Sequence, residues 1–294
     1  MTLIVSELTN GLILASFFAL VAVGLALLFG VVGIVNFAHG DFVMVSGYLF
    51  YESYVVLRVP YLLAILLTVL AAAVFGALVY WVALRHLISR EWHTQLLATL
   101  ALSILFENGV QFIWSPSALS VATPFTLSSV HLGPSIVISV QDMFVWVGTA
   151  VCLLALWFVI AKTKWGKAMQ AVSQNRDACI VTGIDVSRVA LLAFVLSIGL
   201  CAIAATLVFP LQNIYPTAGL SITTQAFVVV ILGGMGSVRG AVVAALIVGM
   251  VDALAAGYIS TAYTDGFGYA VMILILVFRP SGLFGDSSRK WEGL

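Results

Sequence analysis

Apolar residues occur along this chain in blocks of membrane-spanning length. Neither the strict alternation of strands nor the one-sided stripe of surface helices prevails. A helix needs about 20 apolar residues to cross the hydrocarbon of a bilayer, with ~17 as a lower limit. Five clear blocks meet that requirement: 11–35, 61–84, 94–114, 143–161 and 189–209. Four less regular ones follow the same pattern at 41–57, 219–238, 241–257 and 262–278, interrupted by Glu52, several glycines, Asp252 and Asp265. Backbone amides cannot stay unpaired in lipid, so each block is expected to be helical except where protein or water covers it. The pattern predicts an all-α polytopic membrane bundle of eight or nine spans, with 1–294 as a single domain. Only two connections are sizeable, 115–142 and 162–188.

Composition agrees with that pattern. Charged residues make up 8% of the chain and hydrophobic ones 63%, against roughly 25% charged in a soluble domain, and the mean hydropathy is +1.18. A zero net charge leaves no basic footprint for nucleic acid. The basic residues are unevenly placed. If the 85–93 connection is cytoplasmic, eleven of the twelve, from Arg85 to Lys290, fall inside and only Arg58 falls outside. The positive-inside rule then puts the N terminus outside and the C terminus in the cytoplasm. The first ten residues lack Lys and Arg, and the run from Gly11 is too long for a signal-peptide core, so it is expected to remain as the first helix.

Catalytic and nucleotide signatures are missing. The only Gly-Lys pair, Gly166-Lys167, is followed by Ala168, and Ala161 stands where a P-loop requires glycine. There is no H-E-x-x-H, no G-x-S-x-G and no carboxylate pair at helical spacing within the spans. Cys152, Cys179 and Cys201 form no C-x-x-C pair. The expectation is therefore a non-enzyme with no metal and no cofactor of its own.

The most polar stretch is the inner connection, "KTKWGKAMQAVSQNRDACIVTGIDVSR". Residues 167–182 read as one short helix with Met169, Val172, Cys179 and Ile180 near one face, Gly183 as its stop and Asp185 or Ser187 capping the next element. Such a helix is either a solvated connector or a docking element. In the second reading Met169 and Val172 anchor in a partner's groove, and Lys164, Lys167 and Arg176 ring the rim. Its end, "DACIVTG" (Asp177, Ala178 to Gly183), is similar to the E-A-A-x-x-x-G loop of ABC importer permeases.

Two glycine-rich breaks interrupt the apolar blocks. "FGVVGIVNFAHGD" (29–41) sets Asn36, His39 and Asp41 around Gly40; "LGGMGSVRGAVV" (232–243) carries Gly233, Gly234 and Gly236. Paired glycine breaks in the two halves of a membrane chain point to a transport pathway; the plainer reading is close helix packing through small residues. Asp41, Glu107 and Asp252 are acids at membrane depth, which are expensive and face a bundle interior or a water-filled path, or else serve a structural role.

"GLALLFGVVGIVNFAHGDFVMVSGY" resembles the signature of the branched-chain amino acid ABC importer permeases, and the resemblance continues in "TKWGKAMQAVSQNRDACIVTGIDVSRV", "GGMGSVRGAVVAALIVGMVDALAAGYIS" and "ILVFRPSGLFG". Asp41 and Asp252 depart from it, standing where glutamate is common. The resemblance implies an ABC importer permease fold with broken or re-entrant helices in a bacterial inner membrane. It also implies a second, homologous permease, two cytoplasmic ATPases that bind the ATP, and a periplasmic binding protein. Asn36, His39, Gly40, Asp41, Gly233, Gly234, Gly236 and Asp252 become candidates for the pathway or its gate. Lys167, Met169, Val172, Arg176, Asp177, Ala178 and Gly183 become candidates for ATPase coupling. The alternative readings are a urea or short-amide importer permease and a stand-alone secondary carrier.

Overall fold

Helix α1 (Thr2–Val32) is apolar on every side from Gly11 onward, and its middle is surrounded by neighbours: Leu20, Val21, Ala22, Val23 and Ala26 have no accessible surface. The computed structural model describes residues 2–88, 90–131, 137–261 and 264–285. After α1 come α2 (His39–Tyr51), which widens into a π-helical turn over Glu52–Val56, and α3 (Tyr61–Val79), prolonged by a second π-turn to Leu87. Then follow α4 (Trp92–Trp114), a small antiparallel hairpin of β1 (Ser129–His131) and β2 (Val137–Ser139), and α5 (Val140–Lys162). The rest is α6 (Lys164–Gln174), α7 (Arg176–Val181), α8 (Val186–Val208), α9 (Ala218–Gly233), α10 (Val238–Tyr258) and α11 (Thr264–Phe278).

Among the described residues, α1, α3, α4, α5, α8 and α10 are long and apolar enough to cross a membrane. The eight or nine blocks expected from sequence thus resolve into six full-length helices and the shorter pieces α2, α9 and α11. Helix α1 also begins earlier than expected, at Thr2 rather than Gly11.

Small residues set the packing directions. A Cβ at Gly11 would meet Met250 and Ala253, one at Gly249 would meet Ala15, and Gly30 lies against Gly236. Helices α1 and α10 are therefore antiparallel over their whole lengths, with backbones in the close approach that small residues permit in a membrane. Helix α8 also runs opposite to α1: Gly24 abuts Ser197, while His39 Nε2 touches both the earlier Val21 O, at 3.0 Å, and the later Cys201 Sγ, at 3.4 Å. Against α8, α3 runs opposite in turn. The Tyr61 hydroxyl donates to Thr206 O at 3.4 Å at one end, and that of Tyr80 donates to Ser187 O at 3.1 Å at the other. We call the end where α1 begins proximal and the end where it finishes distal.

The inner connection differs from the single helix expected over 167–182. It breaks at Asn175, whose φ of −154° is extended and whose side chain accepts from Ala178 N at 2.9 Å, capping α7. Gly183 does stop α7, at φ +82°, and Asp185 caps α8 by accepting from Arg188 N.

Candidate functional site

The first polar break is a backbone reversal. Gly33, at φ +75°, ends α1 in a left-handed conformation that any side chain would strain. Residues 33–38 then climb back beside α1 in non-helical form. His39, the first residue of α2, brings Nε2 to 3.0 Å from Val21 O. Val21 lies eleven residues before the end of α1, about 16 Å at the helical rise. Helix α2 therefore starts at mid-depth and runs to the proximal end, where Trp114 Nε1 donates to Glu52 Oε2 at 3.1 Å.

Non-helical backbone at that depth requires internal partners, and two threonines supply them. Thr99 of α4 accepts from Phe37 N at 3.2 Å. Thr223 of α9 accepts from Gly40 N at 2.8 Å, while its single hydroxyl proton is shared between Phe37 O at 3.0 Å and Gly219 O at 2.9 Å. Asn36 closes the turn by accepting from Ala38 N at 3.1 Å.

A second re-entrant stretch meets the first. Helix α8 ends at Val208, and residues 209–217 turn back into the bundle. The Phe209 ring lies on Gly47, and Leu119 and Ile214 exchange backbone hydrogen bonds of 2.8 Å. Helix α9 then begins beside α2: a Cβ on Gly40 would strike Gly219 O and Thr223, and one on Gly219 would strike the Asp41 carboxylate. From there α9 descends to the distal end, where Gly233 crosses Gly240. The N-termini of two half-length helices thus meet at mid-depth and diverge. The unit α1–break–α2 is an inverted counterpart of α8–break–α9, a topology typical of transporter repeats.

The junction is polar and fully enclosed. Asn36 and His39 have no accessible surface and Asp41 has 1%. His39 Nε2 lies 3.4 Å from Cys201 Sγ, which wedges the ring between α1 and α8. Ser103 and Glu107, one turn apart on α4, face the Asp41 carboxylate, whose Oδ2 has no hydrogen-bond partner. Asn36 Nδ2 and the hydroxyl of buried Tyr48 also lack one. Thr99, Ser103, Glu107 and Gln111 recur at the four-residue spacing that shares a helix face. With Asp41 and Tyr48 on α2 and Glu52 in the π-turn that follows it, they form a polar seam from the proximal end to the junction. On the distal side an apolar cleft of about 390 Å³ opens, lined by Phe37, Leu96, Phe227, Ile231 and Met272 among others.

Other candidates lie elsewhere. Gly233, Gly234 and Gly236 form the distal turn between α9 and α10. Gly234 and Gly236 have φ of +99° and +81°, and the tail returns there through Leu283 N to Leu232 O at 2.8 Å. The segment that mirrors the first break is therefore 209–217, not 232–243, whose glycines serve a tight turn and a helix crossing. Asp252 is buried between α10 and α11, with Gly268 beside its carboxylate. On the inner connection Lys167, Arg176, Asp177, Ala178 and Gly183 are exposed. Met169 and Val172 are instead buried against the chain's own bundle. That corrects their expected role as exposed anchors: the apolar face of α6 is used internally. The exposed apolar residues there are Trp165, Ile180 and Val181. Thr99, Ser103 and Thr223 were not singled out from the sequence, and Cys201 was considered only for cysteine pairing; the signal that could have located the second break is Pro210 and Pro216, which flank a polar gap between two apolar blocks.

Residues 7–276 match the model of the family described as branched-chain amino acid transport system / permease component. The high-affinity branched-chain amino acid transport permease LivH of Salmonella typhimurium is 28% identical over 95% of this chain and 94% of its own length. BraD of Pseudomonas aeruginosa, of the same description, is 29% identical over 95% of both chains. A probable LivH of Methanocaldococcus jannaschii is 29% identical over 98% of this chain and 94% of its own. No solved structure matches. The match covers both half-helices and the polar junction between them, and the chain belongs to this family of branched-chain amino acid transport permeases.

Proposed function

We propose that this chain is the membrane subunit of an ATP-driven importer that moves branched-chain amino acids across a bacterial inner membrane. The observation that carries this reading is the full-length match to the permease family, which spans both re-entrant segments. In this reading the chain passes the membrane nine times, two of the passages being the broken ones, 33–56 and 209–233. Arg58 lies at the proximal end, whereas Arg85, Arg90, Lys162, Lys164, Lys167, Arg176, Arg188, Arg239 and Arg279 gather at the distal end. That asymmetry supports a periplasmic proximal end and a cytoplasmic distal one; Arg289 and Lys290 lie outside the described residues.

The parts take their roles from this placement. A periplasmic binding protein delivers solute at the proximal end, a second permease completes the pathway, and two ATPases engage the exposed α6–α7 connection and supply ATP. The junction of α2 and α9 is the gate: its halves meet closely at Gly40 and Gly219, with the Asp41 carboxylate against Gly219, so a small shift changes what surrounds Asp41. The apolar cleft below suits a branched aliphatic side chain. No step here makes or breaks a covalent bond in the solute, so the chain acts as a conduit rather than an enzyme.

Uptake in cells carrying the matched binding protein and ATPases tests the substrate class. Labelled leucine should accumulate, excess isoleucine and valine should suppress it, and urea and ribose should not. Suppression by urea but not by isoleucine would favour the amide-importer reading.

A further inference from the structure

At the distal end, away from the junction, a pocket of about 110 Å³ opens between the end of α3, α7 and the start of α8. Its walls include Arg85, Arg176, Tyr80 and Ser187, its floor is apolar, with Val32 and Ala190, and no carboxylate lines it. The two guanidiniums come from distant parts of the chain. Arg85 is held on one side: its guanidinium lies 4.2 Å over the Trp81 ring, and Nε donates to His86 Nε2 at 3.3 Å. Its terminal nitrogens remain for a ligand. Arg176 opens α7. Among the described residues the only ion pair is Arg188 with Asp185, at 2.8 Å. Two like charges facing one pocket repel unless an anion sits between them, and paired guanidiniums suit the tetrahedral oxygens of a phosphate.

The surroundings indicate which phosphate. Along α3, leading to Arg85, Val74, Leu78, Trp81 and Val82 are all exposed apolar residues that face lipid in a membrane chain. Trp81, Trp92 and Trp165 are exposed at this same end, the position of an interfacial aromatic belt. Acyl chains lying along α3 would bring a headgroup to the mouth of the pocket, and basic pockets between membrane helices take anionic headgroups. We propose that this pocket holds the phosphate of an anionic phospholipid, clasped between Arg85 and Arg176. The lipid then ties the α6–α7 connection to the bundle through Arg176.

The test is quantitative lipid mass spectrometry on the intact chain, delipidated and re-exposed to equal amounts of phosphatidylglycerol and phosphatidylcholine. Wild type should retain phosphatidylglycerol several-fold over phosphatidylcholine. Arg85→Gln with Arg176→Gln should bring the ratio close to one, Arg85→Lys with Arg176→Lys should keep much of the preference, and Arg279→Gln, a basic residue of the same end outside the pocket, should keep all of it. Monodisperse elution of each variant establishes that it is folded. Excess inorganic phosphate should leave the ratio unchanged; if it displaces the lipid, the pocket is a free-phosphate site and the lipid assignment fails. Equal retention of both lipids by wild type, or an undiminished preference in the double Gln variant, would overturn the proposal. Neither result depends on which solute the chain transports.

Discussion

Gly40 is the residue on which the junction most depends. Any Cβ there meets backbone, Gly219 O and Thr223 N, which cannot rotate away as a side-chain tip does. Overpacking of this kind costs about 1–3 kcal/mol or more. Gly40→Ala should therefore sharply reduce folded protein extracted from the membrane, as read by size exclusion of a fluorescent fusion. Gly109→Ala, where a Cβ meets nothing within 4 Å, should not. Asp41→Asn keeps the volume and removes the charge: assembly should persist while uptake per assembled complex falls several-fold, a coupling of order 1–3 kcal/mol. Undiminished uptake in Asp41→Asn would reduce Asp41 to packing. Asn36, His39 and Asp41 were legible in sequence because polar side chains stand out in an apolar run. Thr99, Ser103 and Thr223 were not, since a lone hydroxyl in a membrane helix can satisfy its own backbone, and what distinguishes these is a partner 62 or 186 residues away.

Five of the six long helices were legible as clear blocks because about twenty apolar residues have one solution in a bilayer, and α10 was legible as a less regular block interrupted by Asp252. The half-helices were less so. Residues 41–57 and 219–238 read as less regular spans, yet their shared feature, a start at mid-depth, depends on the non-helical stretches before them, which carry no hydrophobic period. The inner connection misled for a related reason. An amphipathic face at 169–180 announces that something covers it, without saying whether that is a partner or the chain itself. Here the bundle covers Met169 and Val172. Met169→Asp should thus destabilise the permease itself by several kcal/mol, because a buried unpaired charge is left without compensation. Ile180→Asp with Val181→Asp, at sites 57% and 88% exposed, should leave the fold intact and abolish co-purification of the ATPases. Retained ATPase in that double variant would move the docking surface off α7.

Across the whole molecule, two inverted units each send one long helix through the bundle and one half-helix back, and their half-helices meet in a closed polar joint. Nine of the ten described basic residues, the exposed loop helices and the apolar cleft lie on the distal side of that joint, and Arg58, the strands β1 and β2 and the described parts of the 115–142 connection lie on the proximal side. The chain carries no P-loop sequence, and in the proposed reading energy reaches the joint from ATPases docked at the distal end. The most direct test is leucine accumulation in proteoliposomes that hold the permease pair and its ATPases, with the ATPase-bearing face inward, ATP enclosed and the binding protein outside. The predicted result is accumulation that requires both enclosed ATP and the binding protein. Accumulation by the permease alone, driven by an imposed proton or sodium gradient without ATPases, would contradict it.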